Sequence, residues 1–206
     1  MHIEDQHETL EIDAIQDLAH TLADHLSLSF SNLKLRETLR SQSIRDALTG
    51  LFNRRYMEES LAREIPRALR KDSTVGIIMV DIDHFKDFND TNGHEAGDVV
   101  LREIGAMLPA QVRGEDICCR YGGEEFILIL PEATLDVTVR RAEQIRQSVK
   151  SMRVEYRRRP LGVVSVSLGV AIFPEHSARV EGILKKADEA LYYAKHNGRD
   201  RVEVAK

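Results

Sequence analysis

Four groups of residues carry the chemistry this chain could perform. The first is Asp81-Ile82-Asp83 at the end of an apolar, β-branched run. Strand side chains alternate, so the two carboxylates share a face. Hard oxygens at a strand end suit Mg²⁺, which keeps waters and usually shares its shell with substrate phosphates. The second is Gly122-Gly123-Glu124-Glu125, between two apolar runs. Paired glycines predict a tight hairpin with positive φ and allow close backbone approach to a ligand. Two adjacent acids there repel unless a cation lies between them. The third is Lys195 with Arg199, beside Gly198, four residues apart at a helix C-terminus, where they could bind a polyphosphate. The fourth runs from Phe85-Lys86 through Asn89 to Gly93-His94 and Asp98. A helix start offers free N–H groups to phosphate. A carboxylate and an amide such as Asp98 and Asn89 could read a guanine edge. Each group alone also has an ordinary structural explanation: a helix cap, an exposed turn, or cations answering a helix dipole.

Composition narrows the field. The chain has 206 residues, 29 Lys plus Arg and 34 Asp plus Glu, for a net charge of −5. The 42% apolar and 31% charged fractions suit a folded, soluble chain of one domain with an appendage. Mild acidity argues against bulk nucleic-acid binding through charge. No apolar run reaches the roughly 18–20 residues of a membrane helix. Adjacent Cys118 and Cys119 offer no CxxC pattern and read as reduced thiols of a cytosolic protein.

The elements that must position these residues follow from periodicity. Apolar positions recur at helical spacing from Leu10 to Leu39, with no Pro or Gly through Leu48. This predicts a long amphipathic helix over 1–44 that needs a partner to bury its stripe. A second part, 45–206, opens with an ordered turn over 46–53 and a helix over 54–71. Strands are expected at 75–81, 116–120 and 125–130, and helices at 85–92, 95–108, 134–149 and 180–196. A hairpin is expected between 154–156 and 162–173, with an edge strand at 201–204. Hairpins among alternating strands and helices indicate an α+β fold with a mixed or antiparallel sheet.

Taken together, the motifs resemble one family. Gly122-Gly123-Glu124-Glu125-Phe126, preceded by Arg120-Tyr121, is similar to the GGEEF form of the GGDEF diguanylate cyclase signature. Asp46-x-Leu48-Thr49-Gly50-Leu51-x-Asn53-Arg54-Arg55 resembles the family's opening, and Asp81-x-Asp83-x-Phe85-Lys86 with Gly93-His94-x-x-Gly97-Asp98 its nucleotide-binding segment. Ser165-x-Ser167-x-Gly169 and the run from Ala187 to Arg199 match its last third. Six ordered motifs over one domain's length are far more specific than any single pattern.

The resemblance implies a palm-like nucleotidyl-cyclase fold, with a central, mainly antiparallel sheet flanked by helices. It implies condensation of two GTP to cyclic di-GMP and two pyrophosphates across a homodimer. Asp81, Glu124 and the Ile82 carbonyl would hold Mg²⁺ or Mn²⁺, with Glu124 and Glu125 near the chemistry and Asp83 either a structural acid or one in the outer shell of the metal. Lys86, Lys195 and Arg199 would answer the phosphates. Phe85, Asn89, His94, Asp98, Gly122 and Gly123 would line the GTP site. Arg113-x-x-Asp116 resembles the inhibitory site for the product. The alternative is a domain that binds GTP or cyclic di-GMP without turnover. Two departures bear on this. Gln144 stands where a further inhibitory-site Arg is common, a role Arg141 or Arg146 would have to fill. Asp200 replaces the usual Asn, and an extra carboxylate there would weaken nucleotide binding. The N-terminal helix resembles the connector after a GAF or PAS sensor, so an upstream sensory domain is expected.

Overall fold

A computed structural model describes residues 44–206 together with residues 22, 26–30 and 34. Contacts divide the chain into two units, 1–43 and 44–206. In the first, the described residues are helical and exposed, Leu26, Leu28 and Phe30 among them. The rest of the long helix expected there lies outside the described residues. No helix among the described residues is long and apolar enough to cross a membrane.

The second unit is a six-stranded mixed sheet with helices on both faces, an α+β fold. In chain order its elements are β1 (Phe52–Asn53), α1 (Arg54–Lys71), β2 (Val75–Ile82), α2 (Phe85–Asn92) and α3 (His94–Met107). They continue with β3 (Ile117–Gly122), β4 (Glu125–Pro131), α4 (Leu135–Ser151), β5 (Glu155–Tyr156) and β6 (Arg159–Pro160). Last come β7 (Val166–Phe173), α5 (Val180–His196) and β8 (Val202–Val204). The sheet order is β1-β3-β4-β2-β7-β8. The four central strands pair antiparallel, while β1 and β8 add to the edges in parallel.

β2 explains the two-layer packing. All eight of its residues are buried, as a central strand covered on both faces requires. Ile78, Val80 and Ile82 face one core with α3 and α4, through Val100, Ile104, Ala142 and Ile145. Ile77 and Met79 face the other with α1 and α5, through Met57, Leu61, Ala187 and Leu191. The same alternation sends Cys118 to the first core and Cys119 to the second, so these neighbours cannot meet. Burial pushes both thiols up to about 12, which keeps them protonated and unreactive.

Two local signals begin and place the helices. Asn53 caps α1, its side chain accepting from the Tyr56 N–H at 3.1 Å. Gly169 on β7 lets α5 lie against the sheet: a Cβ there would fall 2.1 Å from the Ala187 carbonyl oxygen. About two turns beyond that contact α5 delivers Lys195.

The expected hairpin between 154–156 and 162–173 is corrected. Tyr156 pairs with Arg159 in a small separate ribbon turned by Arg157 and Arg158, both at positive φ. β7 starts only at Val166 and joins β2 in the main sheet. The apolar run at the end of 162–173 was long enough to span the core, and its best partner is the central strand, not its sequence neighbour.

Candidate active site

The site forms at the C-terminal end of β2. Asp81 is 4% exposed and lies across from Glu125 on β4 and Ser167 on β7. Lys195 reaches it from α5, with Nζ 2.6 Å from the Asp81 carboxylate. Burial raises the Asp81 pKa to about 6; the Lys195 ammonium opposes this, and Glu124 and Glu125 add to it. Glu125 is also raised, first by burial. Carboxylates crowded this way at a buried strand end attract cations. A cavity of about 230 Å³ opens here, lined by Asp81, Ile82, Asp83, Lys86, Glu124, Lys195 and Arg199, among others. All six of the expected metal and phosphate residues therefore share one space with Asp83, the second acid of the DxD pair.

Among the described residues no three His, Cys, Asp or Glu side chains form a metal cluster. Of the acids lining the cavity, Asp83 is held by its own hydrogen bonds, and Asp81 and Glu124 remain beside the cations Lys86, Lys195 and Arg199. That donor set fits an ion that takes one or two carboxylates and completes its shell with water and phosphate, as Mg²⁺ does.

Glu124 reaches the cavity on the turn between β3 and β4. Gly123 takes φ 50°, whereas Gly122 ends β3 in an extended conformation, so only one of the two glycines needs the positive φ. A Cβ at either would meet nothing within 4 Å, so the backbone there is open to a ligand. Arg120 fixes the turn. Its Nε and guanidinium nitrogen donate to the Gly123 carbonyl at 3.0 and 2.8 Å. The other nitrogen donates to both Asp46 oxygens at 3.1 and 3.2 Å. Asp46 in turn accepts from the Thr49 N–H and hydroxyl. The opening motif and the signature are thus one hydrogen-bonded unit, a role for Asp46 and Arg120 that their spacing of 74 residues concealed.

Asp83 behaves as the structural acid. It is 9% exposed. It accepts from the Ser165 hydroxyl at 2.7 Å, the Ser167 hydroxyl at 2.6 Å and the Asp200 N–H at 3.1 Å. The expectation for Asp200 is overturned. Its carboxylate does not join the phosphate cations but turns to α4, where Arg146 donates to it at 2.6 Å and Lys150 pairs with it. Arg146 is also held by Glu143 at 2.6 Å. Arg141 instead donates to the Gln111 carbonyl oxygen, just before the Arg113 turn.

The residues expected at the base lie on α2 and α3. Phe85 is buried and stacks with Phe88, ring centroids 6.1 Å apart. The Asn89 side-chain oxygen is buried without a hydrogen-bond partner. It packs so closely on Gly97 that a Cβ there would fall 1.9 Å away. Asp98, the next residue, is half-buried, 3.8 Å from Arg102. His94 is exposed at the start of α3. None of Asn89, His94 and Asp98 lines the carboxylate cavity. Arg113 and Asp116 share a separate cavity of about 230 Å³ with Arg45 and Cys118. The Arg113 N–H donates to Asp116 at 2.8 Å, and burial raises the Asp116 pKa.

A sequence profile for the GGDEF domain of diguanylate cyclases matches residues 43–201. The chain belongs to the GGDEF family. It is 43% identical over 162 residues to the response regulator PleD of Caulobacter vibrioides, covering 78% of this chain and 36% of PleD. It is 41% identical over 161 residues to the diguanylate cyclase DosC of Escherichia coli K12, covering 78% of this chain and 35% of DosC. The chain thus spans about a third of the length of these curated relatives. Among solved structures it is similar to the coiled coil and GGDEF domain of DgcB from Caulobacter crescentus, in complex with c-di-GMP. The TM-score is 0.84 at 34% identity, covering 91% of this chain and 99% of that one. The sheet and cavity described above are thus those of a GGDEF domain.

Proposed function

We propose that this GGDEF domain condenses two GTP into cyclic di-GMP and two pyrophosphates, each of two facing copies holding one GTP. The observation that carries the reading is the cavity at the end of β2, which Asp81 and Glu124 line together with Lys86, Lys195 and Arg199. In each half-reaction a 3′-oxygen bonds to the α-phosphorus of the facing GTP. The bond from that phosphorus to the bridging oxygen of pyrophosphate breaks. The hydroxyl proton leaves to a carboxylate oxygen of Glu124 or Glu125, directly or through water. Lys195 and Arg199 hold the terminal phosphates and take the charge that grows on pyrophosphate, and Lys86 adds to the positive field. Asp81, Glu124 and the Ile82 carbonyl would hold Mg²⁺, or Mn²⁺, which when bound neutralises the α-phosphate and acidifies the attacking hydroxyl.

The remaining residues position the substrate. Asn89 and Asp98 offer an acceptor set suited to guanine N1–H and N2–H₂, and the orphaned Asn89 oxygen supports this. Phe85 and His94 flank the base, and Gly122 and Gly123 let the backbone approach the phosphates. Arg113 and Asp116 bind the product in their own cavity and slow turnover as it accumulates. A unit at 1–44 connects the domain to an upstream sensor and raises the local concentration of the two half-sites. The protein works in the cytoplasm.

Purified chain incubated with GTP and Mg²⁺ should form cyclic di-GMP, read by mass-detected chromatography. Glu124→Ala should form none above background. No product from the native chain at a protein concentration where copies pair would establish a nucleotide-binding domain instead.

A further inference from the structure

Arg199 sits in a turn that is costly to form. Gly198, Arg199 and Asp200 take φ values of 106°, 58° and 45°. Side-chain-bearing residues enter the left-handed region at a steric cost, and such turns persist only where their surroundings over-determine them. The surroundings here are specific. Below the turn, the buried Asp83 carboxylate accepts the Asp200 N–H at 3.1 Å, while its two oxygens are held by Ser167 of β7 and by Ser165 just before that strand. Beside it, Arg146 donates to the Asp200 carboxylate at 2.6 Å and to its carbonyl at 3.3 Å, with Lys150 on the other carboxylate oxygen. The Arg199 N–H closes onto the Ala194 carbonyl at 3.0 Å. The Asp200 side chain is 25% exposed and that of Arg146 is 16% exposed, so this pair is shielded.

From this arrangement we propose that Asp83 and Asp200 are positioning residues for the terminal phosphates of the bound nucleotide. Together they lock the turn that aims Arg199 into the carboxylate cavity. Asp83 ties that turn to the strand end carrying Asp81, so the acidic and cationic walls of the cavity share one rigid joint. Asp200 anchors it to α4 through Arg146 and Lys150. Neither side chain needs to touch the nucleotide. The inference rests on the reading of this cavity as a nucleoside triphosphate site.

Calorimetric titration of the full chain with GTP and with GMP, in Mg²⁺ buffer, tests it. Asp200→Ala should weaken GTP about ten-fold, the scale of one charged hydrogen bond, and leave GMP unchanged, since GMP lacks the terminal phosphates. KM for GTP should rise by a similar factor, and kcat at saturation should change less. Asp200→Ala combined with Arg199→Ala should bind GTP no worse than Arg199→Ala alone. Asp200→Asn, which keeps an acceptor oxygen, should recover most of the loss. Asp83→Asn should act in the same direction; its melting temperature is to be measured alongside, and Asp200→Ala carries the test if that buried change unfolds the domain. Equal losses for GTP and GMP, additive penalties in the double variant, or unchanged GTP affinity would overturn the proposal. A native chain that binds no GTP would overturn the triphosphate reading itself and the proposal with it.

Discussion

Two turns contribute to the lining of the carboxylate cavity, through Glu124 and Arg199, and they reach their shapes by opposite means. The signature turn puts Gly123 at φ 50°, where glycine has no steric cost, and Arg120 grips its carbonyl. The turn after α5 puts Arg199 and Asp200, which do pay that cost, at φ 58° and 45°. The first turn is therefore permitted by its own residues. The second is imposed by residues far away in the chain: Asp83, Arg146, Lys150, Ser165 and Ser167.

Breaking the brace of the first turn should produce the larger effect on turnover. Arg120 is 16% exposed and links Asp46 to the Gly123 carbonyl, so Arg120→Ala removes shielded, charge-assisted hydrogen bonds. At about 1.5–3 kcal/mol for such bonds, kcat for cyclic di-GMP formation should fall roughly ten- to hundred-fold. Cyclic di-GMP production assayed beside a thermal melt checks this. A loss of melting temperature with full turnover in the folded protein would show that Glu124 needs no such support. Changing the turn itself should cost less. Gly123→Ala meets no neighbour within 4 Å, so only the backbone conformation is strained, by about 1–2 kcal/mol. Denaturant unfolding should show that loss, and a loss well above it would mean that the turn is packed and not merely bent.

The same contrast sorts what could be read in advance. Glycine pairs, alternating apolar strands and helical stripes are local, and they placed α1, β2, α2 and α5 to within a residue. Local patterns did not join Asp81, Lys86, Glu124, Lys195 and Arg199; the family resemblance did, and one cavity holds all five. Joints between distant segments were hidden. The bond from Arg120 to Asp46 and the Asp83–Asp200 contact are tertiary, and nothing in the neighbouring residues announces them. Asp200 was misjudged for that reason: in the linear sequence it stands beside Arg199, while in the fold its charge belongs to α4. The period-two serines Ser165 and Ser167, at the start of an otherwise apolar run, were the one signal of a buried acid facing them.

The smallest effect should come from the outermost member of the second brace. Lys150 and Arg146 both pair with Asp200, but the Lys150 side chain is 52% exposed against 16% for Arg146. Solvent and salt screen an exposed pair, and holding a long side chain in place costs entropy, so such pairs contribute about 0–1 kcal/mol. Arg146 also binds the Asp200 carbonyl, which fixes the backbone directly. Lys150→Ala should therefore shift GTP affinity less than about three-fold, and what shift there is should vanish at high salt. Arg146→Ala should approach the effect of Asp200→Ala. Equal effects from the two cations would mean that net charge near Asp200 sets the turn, and that its shape is held by the electrostatic field of α4 rather than by the buried hydrogen bonds.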